Sequence, residues 1–213
     1  MKLDRAAWVK QLHLSNFVNS YYQFRDVQSL PNVRRLLVVG PGQGLDTAVF
    51  RWRGYEVVTF DIDATFNPDV IGSVHEMKAF AEHEFDVVIA SHVVEHLPVA
   101  YLDDALRELA RVARFALIYL PSSGRPIAFS FSPGFRGLRW SCVVDVYNWF
   151  REPDPDRAVF AAGEHYWEVG RRGFSRRSLA RRLRGHFRIL KQYRNPDWLL
   201  SVNFVLQSMR SGK

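Results

Sequence analysis

Cysteine occurs once in this chain of 213 residues, as Cys142. An intrachain disulfide is therefore excluded, and no zinc site built on cysteines can form. Long apolar runs are also missing: nowhere do about 18 apolar residues follow one another, the length a helix needs to span a bilayer. The N-terminal stretch MKLDRAAWVKQLHL lacks the unbroken apolar core and cleavage site of a secretory signal, and mixes charges with apolar residues at helical spacing instead. A cytoplasmic location is the expectation. Internal repeats are absent, and so are low-complexity tracts apart from one cluster of arginines.

What is present suits one domain. Apolar residues make up 47% of the chain and aromatics 14%, enough for a full core at this length. Lysine is sparse, so the net charge of +7 comes mainly from arginine. Much of it sits in Arg171, Arg172, Arg176, Arg177, Arg181, Arg182, Arg184 and Arg188. A solvated helix face is the favoured reading of that cluster, with an anionic acceptor, RNA or an acidic membrane surface as alternatives.

The stretch from Arg35 to Asp63 has the form of a nucleotide-binding half-unit. Leu36 to Val39 is a continuous apolar run, as for a parallel strand buried on both faces, and Gly40, Pro41, Gly42, Gln43 and Gly44 follow directly. Glycine permits positive φ and lets a ligand approach the backbone, while Pro41 stiffens the turn. Amides at the start of the next helix then favour a carboxylate or phosphate. About 17 residues past Gly44, Asp61 closes a second strand at the spacing where an acid accepts hydrogen bonds from ribose hydroxyls. A ligand containing a ribonucleoside follows from that. Dinucleotide folds use GxGxxG, whereas the glycines here read GPGQG and the chain runs on to Asp46, so the spacing is wrong for NAD.

The turn resembles motif I of class I S-adenosylmethionine-dependent methyltransferases, of the type 11 or 12 kind. FDVVIASHVVEHLP (Phe85 to Pro98) looks like that family's fourth strand and following loop, and ALIYLP (Ala116 to Pro121) like its fifth strand. The resemblance implies an α/β fold: a Rossmann-like, seven-stranded, mostly parallel sheet with a terminal antiparallel hairpin and helices on both faces. It also implies S-adenosyl-L-methionine as cofactor. The glycine turn, Gly40 to Gly44, would receive the methionine part, Asp61 the ribose, Ile62 one face of the adenine, and Ser73 with Val74 its edge; Ser91 and His92 would complete the cofactor site. Two positions depart from the family. Val38 stands where an acid is common two residues before the first glycine, and Ser73 where an Asp is common at the adenine edge.

Along the chain, an amphipathic helix is expected over Asp4 to Leu30, ending before Pro31, with Ser15 and Ser20 as places where it could break. Residues 1–30 would cap the cofactor cleft. Further elements are expected as a helix from Leu45 to Arg53 stopped by Gly54, strands at Tyr55 to Phe60 and Pro68 to Gly72, and a short helix from His75 to His83. A strand from Phe85 to Ala90, a helix from Val99 to Arg114 and a strand from Phe115 to Leu120 follow. Periodicity then vanishes until Gly170, among Phe129, Phe131, Phe135, Trp140, Tyr147, Trp149, Phe150, Tyr166 and Trp167. Residues 121–170 read as an aromatic lid inserted over the substrate. After it Ser175 caps a helix to about Arg184, and strands at Phe187 to Tyr193 and Leu200 to Gln207 flank a turn at Asn195 to Asp197.

Methyl transfer needs donor and acceptor aligned and water excluded, and an oxygen acceptor must also lose a proton, for which histidine suits neutral pH. His92 and His96, four apart, and His165 in GEHYWE are the candidates. His165 is expected as base or acceptor-orienting group and His92 as the group nearer the cofactor; His96 is equally readable as a loop support. HYWE resembles a subset of these methyltransferases. HVVEH is not the zinc motif HExxH and no third ligand is evident in sequence, so no metal is expected. The expected acceptor is a small molecule or glycan, methylated at oxygen. RNA is the less favoured acceptor, since no Asn-Pro-Pro-aromatic signature, catalytic cysteine motif or RNA-binding appendage is found. A non-catalytic binding protein retaining the fold is the remaining alternative, suggested by Val38 and Ser73.

Overall fold

The computed structural model describes residues 12–123, 125–131, 140–146 and 165–209. A helix α1 (Leu14–Gln28) leads into β1 (Arg35–Val39), α2 (Leu45–Trp52), β2 (Glu56–Asp61) and β3 (Val70–Ile71). Next come β4 (Phe85–Ser91), α3 (Leu102–Val112), β5 (Ala113–Pro121), β6 (Arg125–Phe131) and β7 (Trp140–Val146). The order closes with α4 (Arg176–Leu183), β8 (Phe187–Arg194) and β9 (Ser201–Ser208). Seven strands form one sheet in the order β3-β2-β1-β4-β5-β9-β8, parallel except for β9, which pairs antiparallel with β5 and β8. The chain reverses direction of travel beside β1, so the carboxyl ends of β1 and β4 frame a crevice.

Both faces of the sheet are covered, which is why its central strands are apolar throughout. In β1, Leu36 and Val38 face a core with Tyr22 and Val27 of α1 and Phe50 of α2. Leu37 and Val39 face the opposite core, with Leu106 and Leu109 of α3 and Leu179 and Leu183 of α4. Helix α3 buries Leu102, Ala105, Leu106, Leu109 and Ala110 at helical spacing, with Asp103 and Asp104 in its first turn and Arg111 in its last. Ser175 caps α4 as its position suggests, its Oγ accepting the Ser178 N–H at 3.1 Å.

Three expectations are corrected. Helix α1 runs unbroken through Ser15 and Ser20 and begins at Leu14 among the described residues, where the His13 N–H donates to Asn16 Oδ1 at 2.7 Å; residues 1–11 lie outside them. His75 to His83 is a chain of turns, not a helix. Its peptide groups are taken by α3: Arg111 donates to the carbonyls of Met77 (2.9 Å) and Phe80 (2.8 Å), and Glu108 accepts the Met77 N–H at 2.8 Å. Third, the segment after Pro121 is not structureless, since β6 and β7 pair as an antiparallel two-stranded sheet. In PIAFSF, Ile127, Phe129 and Phe131 alternate with smaller residues, a period of two that the surrounding prolines and glycines obscured. Phe135, Tyr147, Trp149 and Phe150 fall outside the described residues.

Candidate active site

At the carboxyl end of β1 the backbone turns through three glycines with positive φ, +66° at Gly40, +50° at Gly42 and +75° at Gly44. A Cβ on Gly40 would lie 2.6 Å from Val93 Cγ2, so the first glycine is demanded by packing as well as by φ. The turn forms one wall of a cleft of about 380 Å³, and Asn16, Asn19 and Gln23 of α1 form another. Helix α1 is tied to the site directly: the amide of Asn16 donates to Gln43 Oε1, and that of Asn19 to Ser91 Oγ, each at 2.8 Å.

Of the residues expected from sequence, Gly40, Pro41, Gly42, Gln43, Gly44, Ser91, His92 and His165 line this one cleft. Asp61, Ile62, Ser73 and Val74 are not in its lining; they sit at the neighbouring ends of β2 and β3. Asp61 Oδ1 accepts the Asp63 N–H at 2.9 Å, holding the turn after β2. Asp63 caps the single helical turn Ala64–Phe66 through the Thr65 N–H. Ile62 is 71% exposed beside them, a large apolar side chain open to contact. Ser73 Oγ lies 2.7 Å from His75 Nδ1, and the Val74 side chain is in the core, so Val74 offers the crevice only its backbone.

The far end of the cleft gathers imidazoles and carboxylates. His92 has φ +56°, a left-handed conformation costly for histidine, and its N–H donates to the Tyr119 carbonyl at 2.9 Å. Its ring packs on Trp198, centroids 4.8 Å apart. Trp198 is set there by the β8–β9 turn, where Asn195 Oδ1 accepts the N–H groups of Asp197 and Trp198. His165 packs edge-on to His96 at 4.8 Å, and its Nδ1 lies 3.0 Å from Glu168 Oε1. The Tyr166 N–H donates to the Glu95 carbonyl at 2.9 Å, which fixes this segment to the loop after β4. Trp167 is buried and stacks on Phe174, so it anchors the segment, whereas Tyr166 is exposed.

Sequence reasoning passed over three groups. Asp46 lines the cleft at the start of α2, and burial pushes its carboxyl up to about 6, against the opposing hydrogen bonds from the Thr47 N–H and the Gln23 side chain. Only its place one turn after the glycines could have marked it. Glu95 is fully buried and Trp198 faces His92. Their roles depend on contacts between distant parts of the chain, which no local pattern records.

Residues 37–115, from β1 into β5, match the family described as a methyltransferase domain. That stretch is similar to a methyltransferase domain, and it holds the glycine turn, Asp61 and the loop after β4. The fold is similar to that of solved structures across most of their length. The PH0226 protein from Pyrococcus horikoshii OT3 is 12% identical, with 94% of each chain covered and a TM-score of 0.59. A 1,6-didemethyltoxoflavin-N1-methyltransferase from Burkholderia thailandensis, solved with 1,6-didemethyltoxoflavin and S-adenosylhomocysteine, is 20% identical over 92% of this chain and 86% of its own, with a TM-score of 0.54. The glycopeptide N-methyltransferase MtfA, solved with S-adenosylhomocysteine, is 15% identical over 89% of each chain, with a TM-score of 0.57. At these identities the likeness is one of fold. No curated protein matches the sequence. No helix among the described residues is long and apolar enough to cross a membrane.

Proposed function

We propose that this chain methylates a small-molecule or glycan acceptor at oxygen, using S-adenosylmethionine held between the glycine turn and Asp61. The observation that carries the reading is the continuity of one cleft from Gly40–Gly44 to His92 and His165. A cofactor seated on the turn thus has its reacting end directed toward imidazoles. S-Adenosylmethionine supplies a methyl carbon on a sulfonium, whose carbon–sulfur pair stays with sulfur as the acceptor oxygen attacks.

The residues present fit that cofactor. Close approach to the turn is open because Gly40 and Gly44 carry no Cβ, and the first amides of α2 face the carboxylate. Asp61 accepts from the ribose, Ile62 covers one adenine face, and Ser73 with Val74 meets the edge of the ring through backbone groups. Val38 is buried in the core and cannot neutralise the methionine ammonium. Asp46 takes that role: its half-buried carboxyl lines the cleft and its hydrogen-bond partners among the described residues, Gln23, Thr47 and its own backbone, are neutral, so a cation beside it restores the ionised form.

At the other end, His165 orients the acceptor hydroxyl and His92 receives its proton. Two of the three relatives named above carry N-methyltransferase in their names, and the preference for oxygen rests on the imidazoles alone. Small-molecule and glycopeptide acceptors among those relatives agree with a compact cleft. Calorimetry with S-adenosylmethionine, followed by mass spectrometry of products from hydroxylated and amino acceptors, tests the reading. Absence of cofactor binding returns the chain to a non-catalytic binding protein, and methylation of RNA alone replaces the acceptor class.

A further inference from the structure

We propose that Glu95, His96 and His165 hold a divalent transition-metal ion at the acceptor end of the cleft, through which His165 orients the acceptor. The inference rests on the reading of that end as the acceptor's, but the ion needs neither cofactor nor acceptor to bind.

Glu95 is the starting point. It is fully buried, and among the described residues no donor reaches hydrogen-bond distance of either carboxylate oxygen. The nearest polar group recorded is His92 Nδ1, 3.6 Å from Oε1. A buried carboxylate without a donor is costly unless a cation is its partner. One ligand atom each from Glu95, His96 and His165 lies within 4.8 Å of the others. Metal bonds of about 2.1 Å place tetrahedral ligands about 3.4 Å apart, so side-chain rotations that draw the three atoms together by about 1.4 Å at most close the site.

The surroundings have the form a metal site needs. Glu168, itself nearly buried, faces His165 Nδ1 at 3.0 Å; a carboxylate there holds the proton on Nδ1 and leaves Nε2 as the ligating nitrogen. The Tyr166 N–H bonded to the Glu95 carbonyl holds the two halves of the site in register. The strained His92 turn ends β4 and delivers Glu95 and His96 to this point.

Two imidazoles and one carboxylate suit zinc, manganese or iron in the divalent state, while magnesium and calcium prefer all-oxygen sites. Three protein ligands leave positions for the acceptor. A hydroxyl bound to the ion ionises more readily: its O–H bond breaks, the proton passes to His92 or water, and the oxygen keeps the pair with which it attacks the methyl carbon. The acceptor class this favours carries a second oxygen vicinal to the methylated one, to fill another open position.

The test is titration of chelator-stripped protein with Zn2+ and, separately, Co2+, without cofactor or acceptor. One ion should bind per chain, raise the melting temperature, and with Co2+ give visible absorption bands. Glu95→Gln and His165→Ala should weaken binding at least about 100-fold, and Glu168→Gln, which acts through His165, about 10- to 100-fold. Should Glu95→Gln fail to fold, His165→Ala carries the comparison. No bound ion at millimolar metal, or equal binding by folded variants, overturns the proposal. Cofactor binding is titrated separately, so metal binding without it would refute the methyltransferase reading and leave the site standing, and the converse would refute the metal alone.

Discussion

The Tyr119 hydroxyl on β5 donates a 2.7 Å hydrogen bond to Asp26 Oδ2 on α1, in the buried layer between helix and sheet. The Tyr193 hydroxyl donates to the same oxygen at 2.6 Å, and Lys191 reaches the other oxygen. Burial, helped by Tyr193 and Asp26, holds the Tyr119 phenol well above its ordinary range, so it remains a donor at working pH. The tie fixes the helix whose Asn16, Asn19 and Gln23 line the cleft.

Asp26→Ala should therefore lower stability by about 2–4 kcal/mol, because two phenols lose their acceptor. Urea denaturation measures the loss. Amide exchange across residues 14–28 should accelerate more than in β4, and unchanged exchange in α1 would show that packing alone seats the helix.

The part of this architecture legible in sequence is the part built locally. The β1–turn–α2–β2 half-unit is bounded to within about a residue, because an apolar run, glycines and a closing acid are all it requires. The turns at residues 75–83 are not legible in sequence because Arg111 and Glu108, on a distant helix, supply hydrogen bonds that a local helix would make for itself. Glu95 could be seen in HVVEH, but not its burial, nor that His165, far along the chain, comes to stand beside it.

Asp61→Ala should weaken S-adenosylmethionine binding by about 1.5–3 kcal/mol, since a charged acceptor to the ribose is removed. The same substitution also takes away the bond to the Asp63 N–H, so Asp61→Asn, which retains an acceptor there, separates ribose recognition from loop support. Wild-type affinity in a folded Asp61→Ala protein would remove the ribose assignment.

Asp46 links pH to both stability and binding. Its folded carboxyl is raised to about 6 from 3.8, so the folded state holds the extra proton between those values. The sign follows: the contribution is fully favourable below about pH 4 and is lost as pH rises through about 6, a penalty on the order of 3 kcal/mol above that window. Asp46→Asn should flatten that slope and raise the melting temperature of ligand-free protein at neutral pH, while weakening cofactor binding by about 1.5–3 kcal/mol. The cleft's other titratable groups, His13, His92, His96 and His165, remain in the variant and serve as its internal control. Cofactor affinity equal to wild type at pH 7 would leave the ammonium to another partner.

His165 and His92 should separate in kinetics because they stand at different points of one cleft. His165 meets His96 and Glu168, away from the glycine turn, whereas His92 directly follows Ser91, whose hydroxyl accepts from Asn19 of α1. His165→Ala should lower turnover by roughly two to four orders of magnitude with cofactor affinity nearly unchanged. His92→Ala should disturb both, since its strained turn positions Ser91 on one side and the loop carrying Glu95 on the other. Stopped-flow or single-turnover assays beside calorimetry distinguish the two patterns. An amine acceptor already neutral at working pH would shrink the loss for His165→Ala, because no proton then has to leave before attack. Full turnover by that variant on an oxygen acceptor would take His165 out of the mechanism and leave His92 as the group that acts there.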